Sequence, residues 1–292
     1  MGESHESYLV RQPVQDDEVS RTLMPFLVSR VIYAGAGAVV ANDEERQGIV
    51  LSARAATLAR LEGAPGSSGD LPLLDRSATA LAGEGEGWRV RVIGADANQS
   101  EVATYLKVGA TALVLRLLEA RRDLAPDLTL EDPLRAALQV NRDLGFRRPV
   151  RLASGRTASP IALQAELLAA VRRLLDVEGA TSEERSVVRL WKRSLILLES
   201  EDDPGRSRVL DWAAKRELTE PLRSLDPAQA MELDGAYHDL GPEGPFSKLE
   251  QAGRMQRMCT DQEVTQARTL APATTRARLR GDFVRRAKCS GP

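Results

Sequence analysis

Histidine and cysteine are almost absent from this 292-residue chain, with two of each, and aromatic residues make up only 4%. His5, His238, Cys259 and Cys289 stand at no zinc-ligand spacing, and no Ser-His-Asp triad is indicated. Two thiols without a signal peptide point to a reducing, cytoplasmic setting in which both are free. No apolar run reaches the roughly 18 residues that a membrane span requires. Charge of one sign is missing too: 40 Lys and Arg against 42 Asp and Glu leave a net −2, so no global field draws the chain to nucleic acid or to an anionic membrane. The Ala34–Ala38 run, AGAGA, lacks the G-x-x-x-x-G-K spacing of a phosphate loop and reads as a turn. Internal repeats and heptads are absent as well.

With 42% hydrophobic and 28% charged residues, the chain has apolar content for a large domain and a smaller one. Glu18–Val31 has helical spacing at Val19, Leu23, Phe26 and Leu27, with a kink or early end expected at Pro25. Flexible linkers are expected at Gly63–Gly69 and Gly83–Gly87. Asp132 with Pro133, and Ser159 with Pro160, mark two helix starts; Gly145 and Gly179 mark their ends. Between those helices, Ser154-Gly155 predicts a hairpin. Thr181 with Glu184 opens a further helix, which the acidic, Pro/Gly-marked stretch Glu199–Gly205 closes; this stretch is the predicted domain boundary. Beyond it, 209–222, 245–254, 260–270 and 274–288 all read as short helices. The last carries Arg276, Arg278, Arg280, Arg285, Arg286 and Lys288, either a solvated cationic face or a docking face for an acidic partner.

Arg91–Leu115 is the richest stretch. Val90, Val92 and Ile93 read as strand, Asp96, Asn98, Ser100 and Glu101 crowd polar groups at a turn, and a long helix follows. Such an elbow can hold an anion or a metal-bound phosphate on unpaired helix N–H groups, or be no more than an Asx-turn with Ser100 or Glu101 as cap.

This elbow resembles the corresponding segment of the family of Pup ligases and Pup deamidase/depupylases, of the proteasome accessory factor A type. Further blocks agree in order: His5–Leu9, Pro25–Arg30 with Ala34–Gly37, Arg148–Ala153 with Gly155-Arg156, Leu210–Lys215, Tyr237–Leu240 and Thr274–Gly281. GADAN, ATYLKVG and LDWAAK lean to the deamidase/depupylase branch, while RRPVRLA and TTRARLRGDF resemble the ligase branch equally.

The resemblance implies an α+β fold: a partial glutamine-synthetase-like (carboxylate-amine ligase) domain over 1–203 and a small helical domain over 204–292. It implies ATP and Mg2+ as cofactors, and Pup or a Pup-like acidic protein as partner. His5, Arg54, Arg76, Asp96 and Asn98 fall where the family binds nucleotide, His5 also on its magnesium side, and Arg148 and Arg151 where an acidic partner would lie. The family's paired magnesium-binding glutamates and central aspartate have no counterpart, so no catalytic residue is assigned. Leu74–Leu81 keeps only Arg76 of a charged family motif, Leu51–Ala56 has alanine in place of an acid, and Ser7 replaces an asparagine. The expected function is ATP-dependent Pup deamidation and depupylation by an N-terminally truncated chain, completed by a complementary N-terminal polypeptide. The alternatives are a non-catalytic Pup-binding module and the Pup–protein ligase branch.

Overall fold

The computed structural model describes residues 3–41, 47–63, 72–76, 88–223, 226–273 and 275–289. Apart from Gly63, the two expected linkers lie outside these residues, as does the segment 77–81 of the Leu74–Leu81 motif.

Strand β1 (Glu3–Val10) pairs antiparallel with β5 (Trp88–Asp96), and β4 (Leu74–Asp75) lies on the other side of β5, giving the order β1-β5-β4. Period-two alternation decides the faces. Glu6 and Val10 are buried with Val90 and Val92, whereas His5, Ser7 and Leu9 are exposed. A bulge between Ser4 and Glu6 shifts the register at His5.

The buried face meets a helical layer. Residues 16–34 form one nearly continuous run: α1 (Asp16–Glu18), a π-helical turn (Val19–Leu23), α2 (Met24–Ser29) and α3 (Val31–Ala34). The helix passes through Pro25, which sits in the first turn of α2 directly after the wide π turn, and the early end expected there does not occur. β2 (Ala38–Ala41) and β3 (Gln47–Val50) then make a separate antiparallel pair that the sequence did not signal, followed by α4 (Ala53–Ala56). α5 (Glu101–Ala120) buries Val102, Leu106, Ala110, Leu113 and Leu117 on one stripe and packs against β1, α7 and α8. A short 3-10 turn (Arg122–Leu124) ends it.

The middle of the chain follows its capping signals. Asp132 caps α6 (Pro133–Arg142), the hairpin β6 (Val150–Arg151) and β7 (Thr157–Ala158) follows, Ser159 caps α7 (Pro160–Glu178), and the Thr181/Glu184 capping box opens α8 (Ser182–Glu199). Three aromatics meet where α2, α3, α7 and α8 come together. Trp191 packs edge-on against Phe26 and Tyr33 with centroids 5.9 and 6.5 Å apart. Buried Gln164 satisfies their polar atoms, accepting from Tyr33 OH at 2.9 Å and Trp191 Nε1 at 3.1 Å while donating to Ser29 Oγ at 2.8 Å.

The chain divides into two compact units, 1–256 and 257–292. The expected division at 203/204 falls inside the first. Glu199–Gly205 is only a corner into α9 (Asp203–Ser207), and the next helices, α10 (Asp211–Arg223), α11 (Pro227–Ala236) and α12 (Pro245–Gln251), belong to the first unit because α10 is tied to its core. Trp212, wholly buried, donates from Nε1 to the Ile32 carbonyl at 2.9 Å. α11 lies outside the helices expected from the sequence, although Asp226 caps it and Pro227 opens it as at α6; Ala230 and Asp234 are buried on it. The second unit holds α13 (Asp261–Ala267), opened by a Thr260/Glu263 capping box, and α14 (Arg276–Cys289). Among the described residues, no helix is long and apolar enough to cross a membrane.

Candidate functional site

The predicted site residues gather mainly at one end of the β1–β5 pair. Glu3 lies opposite Asp96 and Ser4 opposite Ala95, so the bulge at His5 sits beside the end of β5 from which the elbow departs. Asp96 closes that strand. Its Oδ2 accepts from Ala36 N at 2.8 Å and its Oδ1 from Arg54 N at 3.1 Å. Burial raises the Asp96 carboxyl above its ordinary pKa, against the opposing pull of these two N–H groups and the Ser52 side chain. Asp96 thereby joins the glycine turn before β2 to the start of α4, and Arg54 is brought to the elbow through its backbone.

The elbow's own donors are engaged from within the protein. Asp211, at the start of α10, accepts four hydrogen bonds: Gln99 N at 3.1 Å, Ser100 N at 2.9 Å, Asn98 Nδ2 at 2.9 Å and Tyr237 OH at 3.0 Å. Asn98 Nδ2 also donates to the Ala34 carbonyl at 3.1 Å. Ser100 caps α5 by accepting from Ala103 N and donates from Oγ to the Val209 carbonyl at 2.7 Å. An internal carboxylate therefore stands where the sequence suggested an exogenous anion, using the N-terminal donors and dipole of α5. Full burial raises the Asp211 pKa, with the Asn98, Ser100, Tyr237 and Gln99 hydrogen bonds opposing.

Next to this clamp, Lys215 extends from α10 to the glycine turn. Its ammonium donates to the Gly37 carbonyl at 3.0 Å, pairs with Asp234 at 2.9 Å and lies 3.2 Å from His238 Nε2. Burial, and then the Lys215 charge, lower the His238 pKa to about 4, so the ring is neutral near pH 7 and Nε2 accepts from the ammonium. Gly37 has φ +74°, and a Cβ there would lie 2.8 Å from Trp212 Cα, so only glycine lets the turn approach α10 this closely.

Under the sheet runs a second buried polar group. Arg30 donates to both oxygens of Glu6, at 2.6 and 2.9 Å, and to Thr111 Oγ1 at 2.6 Å; Tyr8 OH also donates to Glu6. Burial would raise the Glu6 pKa, but Arg30, Tyr8 and Lys107 more than offset it and the carboxyl lies below its ordinary value. Lys107 Nζ donates to the Asp96 carbonyl at 2.8 Å and to Ser4 Oγ at 3.1 Å, linking this group to the elbow.

On the opposite face, His5 and Ser7 are exposed beside Arg89 and Arg91, and Arg91 pairs with buried Asp75 at 3.1 Å. His5 is exposed and its neighbour Glu6 buried, so the two side chains face opposite ways. Arg76 is occupied elsewhere, donating to Asp16 at 2.7 Å, Glu62 at 2.8 Å and the Val14 carbonyl at 2.8 Å. Arg148 and Arg151 sit on the β6 hairpin, both exposed, with Arg151 paired to Glu131 at 2.8 Å beside a surface cleft of about 510 Å³. Among the described residues, no three His, Cys, Asp or Glu side chains gather as a metal site.

Sequence reasoning assigned no role to Asp211, Lys215, Tyr237, Glu6, Arg30 or Lys107. The Leu210–Lys215 and Tyr237–Leu240 blocks carry the resemblance, but Ser100 and Asp211 are 111 positions apart, and no spacing rule connects them.

The family profile described as Pup-ligase protein matches residues 2–290. The chain belongs to that family. Relatives called Pup–protein ligase agree: that of Kribbella flavida is 37% identical over 97% of this chain and 64% of its own length, and that of Sanguibacter keddieii 36% over 97% and 63%. The chain thus spans slightly less than two thirds of these ligases. Among solved structures, the Pup ligase PafA in complex with ADP superposes with a TM-score of 0.82 and 28% identity, covering 99% of this chain and 65% of PafA. The complex between Pup and its ligase PafA gives 0.82 and 28%, covering 98% and 60%. Membership of the Pup-ligase family and a mixed helix-and-sheet fold shared with PafA are therefore established, and the relatives' names support the ligase alternative in place of the deamidase/depupylase lean.

Proposed function

We propose that this chain serves Pup–protein ligation, binding Pup and using an adenine nucleotide, on a glutamine-synthetase-like domain of which β1, β5 and β4 are part. The family match over 2–290 carries this reading, and the ADP-bound and Pup-bound PafA structures supply its two ligands. Ligation of a carboxylate driven by ATP needs cations to offset charge on the transferred phosphoryl group. Arg54, held at the elbow by Asp96, and the sheet-face residues Arg89 and Arg91 fit that need, with His5 beside them on the same face. Asp96 and Asn98 act by fixing the elbow rather than by touching nucleotide. Arg148 and Arg151 offer Pup an exposed cationic edge. No step is assigned to magnesium.

A non-catalytic Pup-binding module is the second reading. Fluorescence anisotropy of labelled Pup with the purified chain tests what the two share. Binding is expected at low ionic strength, weakening with salt, and the pair Arg148→Glu and Arg151→Glu should weaken it by roughly tenfold. An unchanged anisotropy at low salt overturns both readings. Calorimetry with ATP and Mg2+ then separates them: heat of binding by the chain favours the ligase, and its absence the module.

A further inference from the structure

We propose that α14 is a docking surface for an acidic protein segment bearing bulky apolar side chains. The inference is independent of the nucleotide and Pup sites, and the second unit is considered by itself. Residues 257–292 hold eight Lys and Arg against three Asp and Glu, a net +5 in a chain whose total is −2. Charge that is balanced over the whole sequence is thus concentrated in one small unit.

The helix is sorted by direction. At about 100° per residue, Leu279, Phe283 and Val284 fall on one broad arc. They are 72%, 72% and 46% exposed, far from the burial such side chains take in a core. Arg276 and Arg280 point between Phe283 and Val284, inside that arc. The opposite side is partly neutralised: Asp282, the helix's single acid, pairs with Arg278 at 3.2 Å and also with Arg285. Arg276 and Arg280 have no acid three or four positions away on the helix, so their charge faces outward beside the exposed apolar groups.

This interleaving selects the occupant. Inserting Leu279 and Phe283 into lipid would take Arg276 and Arg280 into the acyl boundary with them, at a cost that a bilayer does not repay. Nucleic acid would meet the arginines with phosphates but leave Leu279, Phe283 and Val284 against a polyanion. A protein surface with carboxylates set around apolar anchors satisfies both kinds of group together.

The test uses the full chain and four probes: a fluorescent synthetic Glu-rich helical peptide with Leu at i, i+4 and i+7, the same peptide with Ser for Leu, phosphatidylserine-containing vesicles, and a short DNA duplex. The Leu-bearing peptide should bind in a salt-sensitive way, and the Leu-free one roughly tenfold more weakly. The pair Leu279→Ser and Phe283→Ser should weaken binding of the first peptide by roughly tenfold, and Arg276→Glu with Arg280→Glu should remove it. These positions are exposed, and circular dichroism checks that the variants fold. No binding of the Leu-bearing peptide, equal binding of both peptides, or capture of vesicles or duplex that depends on Phe283 would each overturn the proposal.

Discussion

Asp211 is the residue on which most of the elbow geometry converges. Its single buried carboxylate answers two backbone N–H groups, one amide and one phenol, of which those of Ser100 and Tyr237 are buried and those of Asn98 and Gln99 partly so. Removing it strands the buried donors, and each orphan carries its own desolvation cost. Asp211→Ala should therefore lower the unfolding free energy by about 3 kcal/mol, several times the effect of an exposed Asp→Ala change. Urea titration checks this, and a loss below about 1 kcal/mol would mean that the elbow is held by packing alone. Arg76 shows the converse. A sequence match put it at the nucleotide site, while its hydrogen bonds with Asp16, Glu62 and Val14 make it a tie between the N-terminal helix run and β4.

Among elements, β1 is the most exposed to circumstance. In the described sheet it is hydrogen-bonded only to β5, so its outer edge offers backbone donors and acceptors to another strand. Leu9, 65% exposed, adds an apolar side chain at that edge. The isolated chain should self-associate with rising concentration, and Leu9→Lys, which puts a solvated charge beside the edge, should reduce that association without lowering thermal stability. Sedimentation velocity of the two proteins decides it. A wild-type monomer at all concentrations would show that the edge is covered.

The stability of the whole first unit inherits a pH dependence from the Lys215–His238–Asp234 group. An unfolded histidine takes up its proton near pH 6.5, whereas His238 in the fold waits until about 4. The unfolded chain therefore binds more protons across that interval, and stability present above about 6.5 is lost as pH falls toward 4. His238→Gln keeps an acceptor for Lys215 but does not titrate, so its unfolding free energy should fall less steeply between about pH 6.5 and 4.5. Parallel slopes for the two proteins would rule out His238 as the source. Acid weakening would also loosen the grip of Lys215 on Gly37, and with it the turn whose Ala36 N–H supports Asp96.

Local signals sufficed wherever neighbouring residues decide the structure. Asp132, Ser159, Thr181 and Thr260 each fix a helix start by reaching an N–H three positions on, and the alternation His5-Glu6-Ser7 assigns two faces without any knowledge of the sheet. The strand–elbow–helix of Val90–Leu115 was legible for the same reason, as was the family through its ordered blocks. What α10 does was not legible, because an acidic Pro/Gly corner looks the same whether the chain departs from a domain or folds back onto it. Only the folded chain brings Asp211, Lys215 and Trp212 against residues 32–37 and 98–100, and so decides that the elbow's donors serve an internal carboxylate and that the unit ends at Gln256. Pairings across more than a hundred positions depend on how helices stack, and stacking is set by the summed burial of many apolar side chains, which no short stretch of sequence contains.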